Sequence, residues 1–288
     1  RSGTVEVSGC PIHYLEWGDP AAPPVLMTHG FLAHARVFAF VAPWLAERFH
    51  LVAFDLSGMG DSGHRETYGD QVEEAMAVAE ATRLLHHARK PIFVAHSFGG
   101  TVALSAIEQH PDRFGGLVIC DLMMMPPERL EPYFRRDPIA QLPPERAMAH
   151  NVYPDLATVR ARYRLAPPQP CENEFLLEYM ARHSARPTED GGWVWKFDPR
   201  ILNRRRGVAW WAEVPHRFAR LPGRKAVVYG RRSLLFDAGS VAWLPTLTGP
   251  GVPLIGVADA HHHLMLDQPL AFSAALEGLL GAWHLGAT

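Results

Sequence analysis

Pro91-Ile92-Phe93-Val94-Ala95-His96-Ser97-Phe98-Gly99-Gly100-Thr101-Val102-Ala103-Leu104-Ser105 is the stretch whose reading decides the fold. Ile92 to Ala95 is a short apolar run of the kind that forms a buried strand. It stops at His96-Ser97-Phe98-Gly99-Gly100, after which Val102, Leu104, Ala106 and Ile107 recur at helical spacing. The spacing predicts strand, sharp turn and helix, with a serine at the tip of the turn. A serine so placed projects its hydroxyl from the sheet edge, and the following helix aims backbone N–H groups toward it. The tight turn needs small neighbours: Gly99 follows the serine by two residues, and Ala95 stands where a second glycine is usual. A Ser-x-Gly turn can also be purely structural, so the rest of the chain has to decide its meaning.

The chain has 288 residues, 48% of them hydrophobic and 20% charged, an ordinary globular composition with enough apolar mass for a large core. A net charge of -2 argues against nucleic acid as a partner. No apolar run reaches the length of a membrane span, and the N-terminus has no basic, apolar, small-residue leader pattern. The chain begins at Arg1, which leaves a removed leader open. Cys10, Cys120 and Cys171 are odd in number and scattered, which suits reduced thiols and a cytoplasmic protein.

Working outward from the opening stretch, Thr4–Val7 and Ile12–Trp17 alternate around a Gly-Cys-Pro turn and predict a hairpin. Val25–Thr28, Leu51–Phe54 and Leu117–Cys120 are further buried runs, with helices expected over Arg36 to Arg48 and Asp70 to His87. Ala226–Tyr229 and Leu254–Val257 are the last two strands, separated by a helix from Asp237 to Leu247 and closed by a helix from Leu270 to Leu285. This alternation predicts an α/β fold: a mostly parallel, eight-stranded sheet with helices on both faces. Ligands of such sheets sit at the carboxyl ends of the strands, where His29-Gly30, Asp55, Ser97 and Asp121 all lie. From 122 to 222 the pattern changes to prolines and short amphipathic pieces such as Ala147 to Val152 and Glu174 to Arg182. This reads as inserted short helices without sheet, dividing a core of 1–121 and 223–288.

A serine hydroxyl needs a base, commonly a histidine steadied by a buried carboxylate. The chain order serine, acid, histidine is the one that goes with a serine on a strand-to-helix turn. With His29-Gly30-Phe31, Asp55-x-x-Gly58-x-Gly60-x-Ser62, His96-Ser97-Phe98-Gly99-Gly100 and a histidine loop ending in Asp267-Gln268-Pro269, nearly the whole chain resembles the α/β-hydrolase family. In that family the proline-rich insert corresponds to a variable helical cap. The resemblance implies Ser97 as nucleophile, and the backbone N–H groups of Phe31 and Phe98 as an oxyanion hole. Its histidine usually precedes a proline by seven positions, which selects His262 from His261, His262 and His263.

The acid departs from the common pattern. Relatives carry aspartate in a Gly-x-x-Asp context after the seventh strand, where this chain reads Gly230-Arg231-Arg232-Ser233. Some members place it after the sixth strand instead, which here is Asp121; Asp237 is the other candidate, with helix capping as its alternative role. Asp259 is close enough to His262 in sequence to read as a loop-shaping residue. Adjacent histidines point in different directions and do not readily share an ion, so no metal and no cofactor are expected. His34, Met123, Trp193 and Trp210 are candidate pocket residues, and Arg204-Arg205-Arg206 reads as either an anion attractor or a solvated face. The function expected is hydrolysis of an ester or lactone of a mainly apolar small molecule. Carbon–carbon bond hydrolysis of a diketone, acyl transfer and slow-turnover ligand binding remain as alternatives. A serine at the turn disfavours the epoxide and haloalkane chemistry of relatives that carry aspartate there.

Overall fold

The computed structural model describes residues 1–136, 151–203 and 206–285. The hairpin forms from β1 (Ser2–Val7) and β2 (Cys10–Trp17), joined through Ser8 and Gly9, both at positive φ. β3 (Pro24–Thr28), β4 (His50–Phe54), β5 (Ile92–His96) and β6 (Gly116–Cys120) are buried at every position. A two-stranded antiparallel ribbon, β7 (Ala185–Pro187) and β8 (Trp193–Trp195), comes next. β9 (Arg224–Gly230) and β10 (Leu254–Val257) complete the main sheet. Its order is β1-β2-β4-β3-β5-β6-β9-β10, antiparallel through β1, β2 and β4 and parallel beyond.

The parallel strands show why a buried run is mostly apolar. Successive side chains leave the sheet on opposite faces. Leu26, Val52, Phe93, Leu117 and Val227 enter one apolar layer, with residues of α2 (Val72–Ala81) and α3 (Phe98–Gln109). Val25, Leu51, Ile92, Val118 and Val228 enter the other, with Phe272, Leu276 and Leu280 from the C-terminal helix Pro269–Leu285. Helices therefore cover both faces, as the alternation implies, and Cys120 is fully buried in the second layer. None of the described helices is long and apolar enough to cross a membrane.

Three local expectations are corrected. Between β3 and β4 there is no continuous helix: a 3-10 turn at Ala35–Phe38 precedes the four-residue α1 (Ala42–Leu45). Pro43 has no N–H to continue a helix begun at Arg36. α2 ends at Ala81 because Arg83 turns left-handed, and a 3-10 turn follows. The segment after β6 holds α4 (Pro127–Arg136), α5 (Leu156–Arg162), α6 (Glu174–His183) and α7 (Val208–Arg220), and the β7–β8 ribbon is sheet where only helix is expected. α7 buries Val214 and Phe218 in the layer shared with α2 and α3. Ala147 to His150, Arg204 and Arg205 lie outside the described residues. α8 (Ala238–Thr248), α9 (Leu264–Asp267) and α10 (Pro269–Leu285) close the chain.

Candidate active site

β5 delivers Ser97 in a strained conformation, φ 49° and ψ -125°, directly before α3. A non-glycine residue there is held only by its surroundings. Ser97 N–H donates to the Cys120 carbonyl at 2.9 Å, and Gly100 N–H to the Ser97 carbonyl at 2.7 Å. Two glycines make room for the turn. A Cβ on Gly99 would lie 2.5 Å from the His29 carbonyl oxygen, and one on Gly30 would lie 3.0 Å from Ser97 Cβ. Ala95, fully buried, is accommodated in the core layer where a smaller residue is usual.

Ser97 Oγ lies 2.9 Å from His262 Nε2, and His262 Nδ1 lies 2.8 Å from Asp121 Oδ1. Asp121 follows β6 at φ 51° and is completely buried. Its carboxylate makes three such contacts in all: Oδ1 also accepts from Ser233 Oγ at 2.6 Å, and Oδ2 from Gly230 N–H at 2.8 Å. A carboxylate facing Nδ1 selects the tautomer with hydrogen on Nδ1, which leaves the Nε2 lone pair for the serine hydroxyl. The loop of His262 is pinned from two sides. His96 Nε2–H donates to the His262 carbonyl at 3.0 Å, and the two rings pack with centroids 4.7 Å apart. Gln169, beyond α5, accepts from His263 N–H at 2.8 Å and donates to Asp267. Neither His96 nor Gln169 carries a sequence signal for this role, because each acts through a partner distant in the chain.

The structure separates the other candidates from this trio. Asp237 caps α8, accepting from Ser240 N–H at 3.1 Å, and pairs with Arg129. Asp259 pairs with Arg232 at the surface. His261 bonds Asp267, with Nδ1 3.2 Å from its Oδ2. Phe31 and Phe98 meet edge to face, ring centroids 5.6 Å apart, beside the serine turn.

A cavity of about 190 Å³ opens next to the site, sharing Phe31 and His263 with it. Tyr163, Leu165, Met180, Trp195 and Phe197 line it; of the expected pocket residues His34, Met123, Trp193 and Trp210, none does. Met123 packs instead with Met125, Leu130 and Leu235. Trp193 pairs with Pro187 across the ribbon, and Trp210 packs edge to face with Trp211 under Arg206, away from the cavity. His34 is buried behind the wall with Nε2 3.2 Å from Ser184 Oγ.

Among the described residues, His13, Asp55 and Asp61 form the one cluster whose ligand atoms could surround an ion. Its donors are already engaged. Asp55 accepts from the His13 ring at 2.8 Å, Ala35 N–H at 2.6 Å and Asp61 N–H at 2.9 Å, and Asp61 pairs with Lys196. Burial alone would raise the Asp55 carboxyl; the His13 bond and the neighbouring histidines hold it below the usual carboxylate range. These contacts make it the brace of the loops after β3 and β4.

Five buried histidines among the described residues set an acid limit on stability. Burial holds His29, His34, His96, His263 and His284 below the ordinary histidine value, His34 and His284 at about 4. The unfolded chain takes up these protons first as pH falls. Their stabilising contribution is therefore complete above pH of about 6.5 and declines below it, by about 1.4 kcal/mol per pH unit for each group. For His34 the decline continues to about pH 4. Urea unfolding at pH 7.5 and 5.5 should show a lower midpoint at pH 5.5; equal midpoints would contradict neutral burial of these rings.

A family model described as the alpha/beta hydrolase family matches residues 25–275. An uncharacterized hydrolase, YugF, of Bacillus subtilis is 28% identical over 117 residues, 39% of this chain and 41% of that protein. Epoxide hydrolase A of Mycobacterium tuberculosis is 28% identical over 131 residues, 44% of this chain and 40% of that protein. The chain thus spans less than half the length of these curated relatives. Among solved structures, an E-2-(acetamidomethylene)succinate hydrolase superposes with a TM-score of 0.77 at 22% identity, covering 98% of this chain and 99% of that one. A thioesterase domain from the curacin biosynthetic pathway gives a TM-score of 0.70 at 23% identity, covering 97% and 98%. At these identities the likeness is one of fold.

Proposed function

The chain belongs to the alpha/beta hydrolase family, and from that membership we propose that it is a serine hydrolase cleaving a carboxylic ester or lactone of a small, mainly apolar molecule. The observation that carries this reading is the relay from Ser97 through His262 to buried Asp121, at 2.9 and 2.8 Å. Ser97 Oγ attacks the carbonyl carbon while its proton passes to His262 Nε2. Asp121 stabilises the resulting imidazolium. The N–H groups of Phe31 and Phe98 take the oxyanion, each worth about 3 kcal/mol of barrier. Collapse breaks the acyl–oxygen bond, and His262 returns the proton to the leaving alkoxide. Water then attacks the acyl-serine with His262 again as base, releasing the acid.

A hydroxyl at position 97 supports acyl chemistry over the epoxide opening named for one relative. The apolar wall of the cavity and its modest volume support a small acyl or alcohol group. The segment between β6 and α7, which supplies Tyr163, Leu165, Trp195 and Phe197 to that wall, acts in this reading as a cap over the site. A fluorophosphonate probe should label Ser97 in the wild-type protein and leave Ser97→Ala unmodified, with ester hydrolysis lost in step. Absence of labelling at Ser97 in folded protein would overturn the reading.

A further inference from the structure

The cavity beside the reaction centre has an uneven distribution of charge. Its interior is apolar, with Leu165, Met180, Phe197 and Leu266 among the lining residues. Among the described residues, the charge-bearing ones on its wall are Arg162 and Arg164, and none is a carboxylate. Both arginines are exposed, which places them at the rim. Neither is paired with a carboxylate among the described residues, whereas Arg160, two residues earlier, pairs with Glu178. Each is held in place by other means. The Arg162 guanidinium lies 5.9 Å from the centre of the Tyr153 ring, which in turn contacts Trp195 of the wall. Arg164 Nη1 donates to the carbonyls of Ala161 at 2.9 Å and Tyr163 at 2.7 Å. Those bonds use one nitrogen of the fork.

A guanidinium offers five N–H donors in a planar fork that matches a carboxylate. Two such groups at the mouth of an apolar cavity attract an anion and leave the apolar part of the same molecule to the interior. The whole chain carries -2, so this positive rim is a local feature.

We propose that the substrate carries a carboxylate, bound by Arg162 and Arg164 at the rim, on an apolar chain that reaches from there toward Ser97. The substrate class is then the monoester of a dicarboxylic acid, or a chemical equivalent. This inference rests on the hydrolase reading for the bond that is cleaved, but not for the anion site, and the two are separable by experiment.

Binding is measured by calorimetry on Ser97→Ala, which cannot consume the ligand, with adipate monoethyl ester and with ethyl hexanoate. The anionic ester should bind about tenfold more tightly in low salt, and 0.5 M NaCl should shrink that preference. Adding Arg162→Gln and Arg164→Gln should remove it, and Arg162→Lys with Arg164→Lys should restore part of it. Equal affinity for the two esters, or a preference indifferent to both arginines, overturns the anion site whatever the turnover data show. Anion-selective binding in a folded protein whose Ser97 is not labelled by the fluorophosphonate probe leaves the site standing and overturns the hydrolase reading alone.

Discussion

His262→Ala should lower kcat on p-nitrophenyl butyrate by about 10⁶-fold, while His261→Ala, one residue away, should keep most of the turnover. The difference follows from what each ring touches. His262 Nε2 is the acceptor 2.9 Å from Ser97 Oγ, and without it the hydroxyl proton has nowhere to go as the carbonyl is attacked. The His261 ring is bonded to Asp267 and makes no contact with the serine. The third member of the run, His263, is buried against the cavity wall with its ring 4.9 Å from that of His262. Steady-state assays of both alanine variants, with thermal melts to verify folding, decide the matter. Collapse in His261→Ala with survival in His262→Ala would require a different base.

Asp121→Asn should lower kcat by about 10⁴-fold, and Asp237→Asn should leave it essentially unchanged. The loss has a specific cause. Asparagine can present an N–H to His262 Nδ1 where the carboxylate accepts one, and so favours the tautomer with hydrogen on Nε2. That tautomer cannot take the serine proton. The surrounding donors oppose the change as well, because Gly230 N–H and Ser233 O–H both need an acceptor at this point. Asp237 serves α8 instead, accepting from Ser240 N–H at the start of the helix and pairing with Arg129. Its replacement acts on helix and surface energetics. If turnover collapses in Asp237→Asn and persists in Asp121→Asn, the relay assigned to the site is wrong.

The parts of this molecule legible in its sequence are those where burial forces a pattern. Val25–Thr28, Leu51–Phe54 and Leu117–Cys120 lie in strands covered on both faces, so nearly every position is apolar and the runs stand out. Ser97 is legible because its turn needs glycine within two residues, and a backbone constraint leaves a local mark. Asp121 closes a buried strand, where a carboxylate has to have a strong partner. The cavity wall is hidden for the opposite reason. Tyr163 and Leu165 lie in irregular chain after α5, and Phe197 lies just beyond a three-residue strand. Elements that short have no periodicity to read. Trp193 and Trp195 share one face of that strand, yet only Trp195 lines the cavity, its ring N–H donating to the Tyr153 hydroxyl. Such partners are set by tertiary structure.

Ser233 stands at the chain position where relatives usually carry the acid, and its hydroxyl lies 2.6 Å from the carboxylate of Asp121. β6 and β9 are parallel neighbours, so the residues that follow them deliver side chains to one place. Two chain positions thus address the same spot, and both fall between Ser97 and His262 in sequence. A carboxylate at either strand end would keep the order of the trio and the aim of the imidazole, so position along the chain is a poor guide to the acid here. A survey that demands aspartate after β9 would discard proteins such as this one, whereas a survey of what faces Nδ1 would retain them.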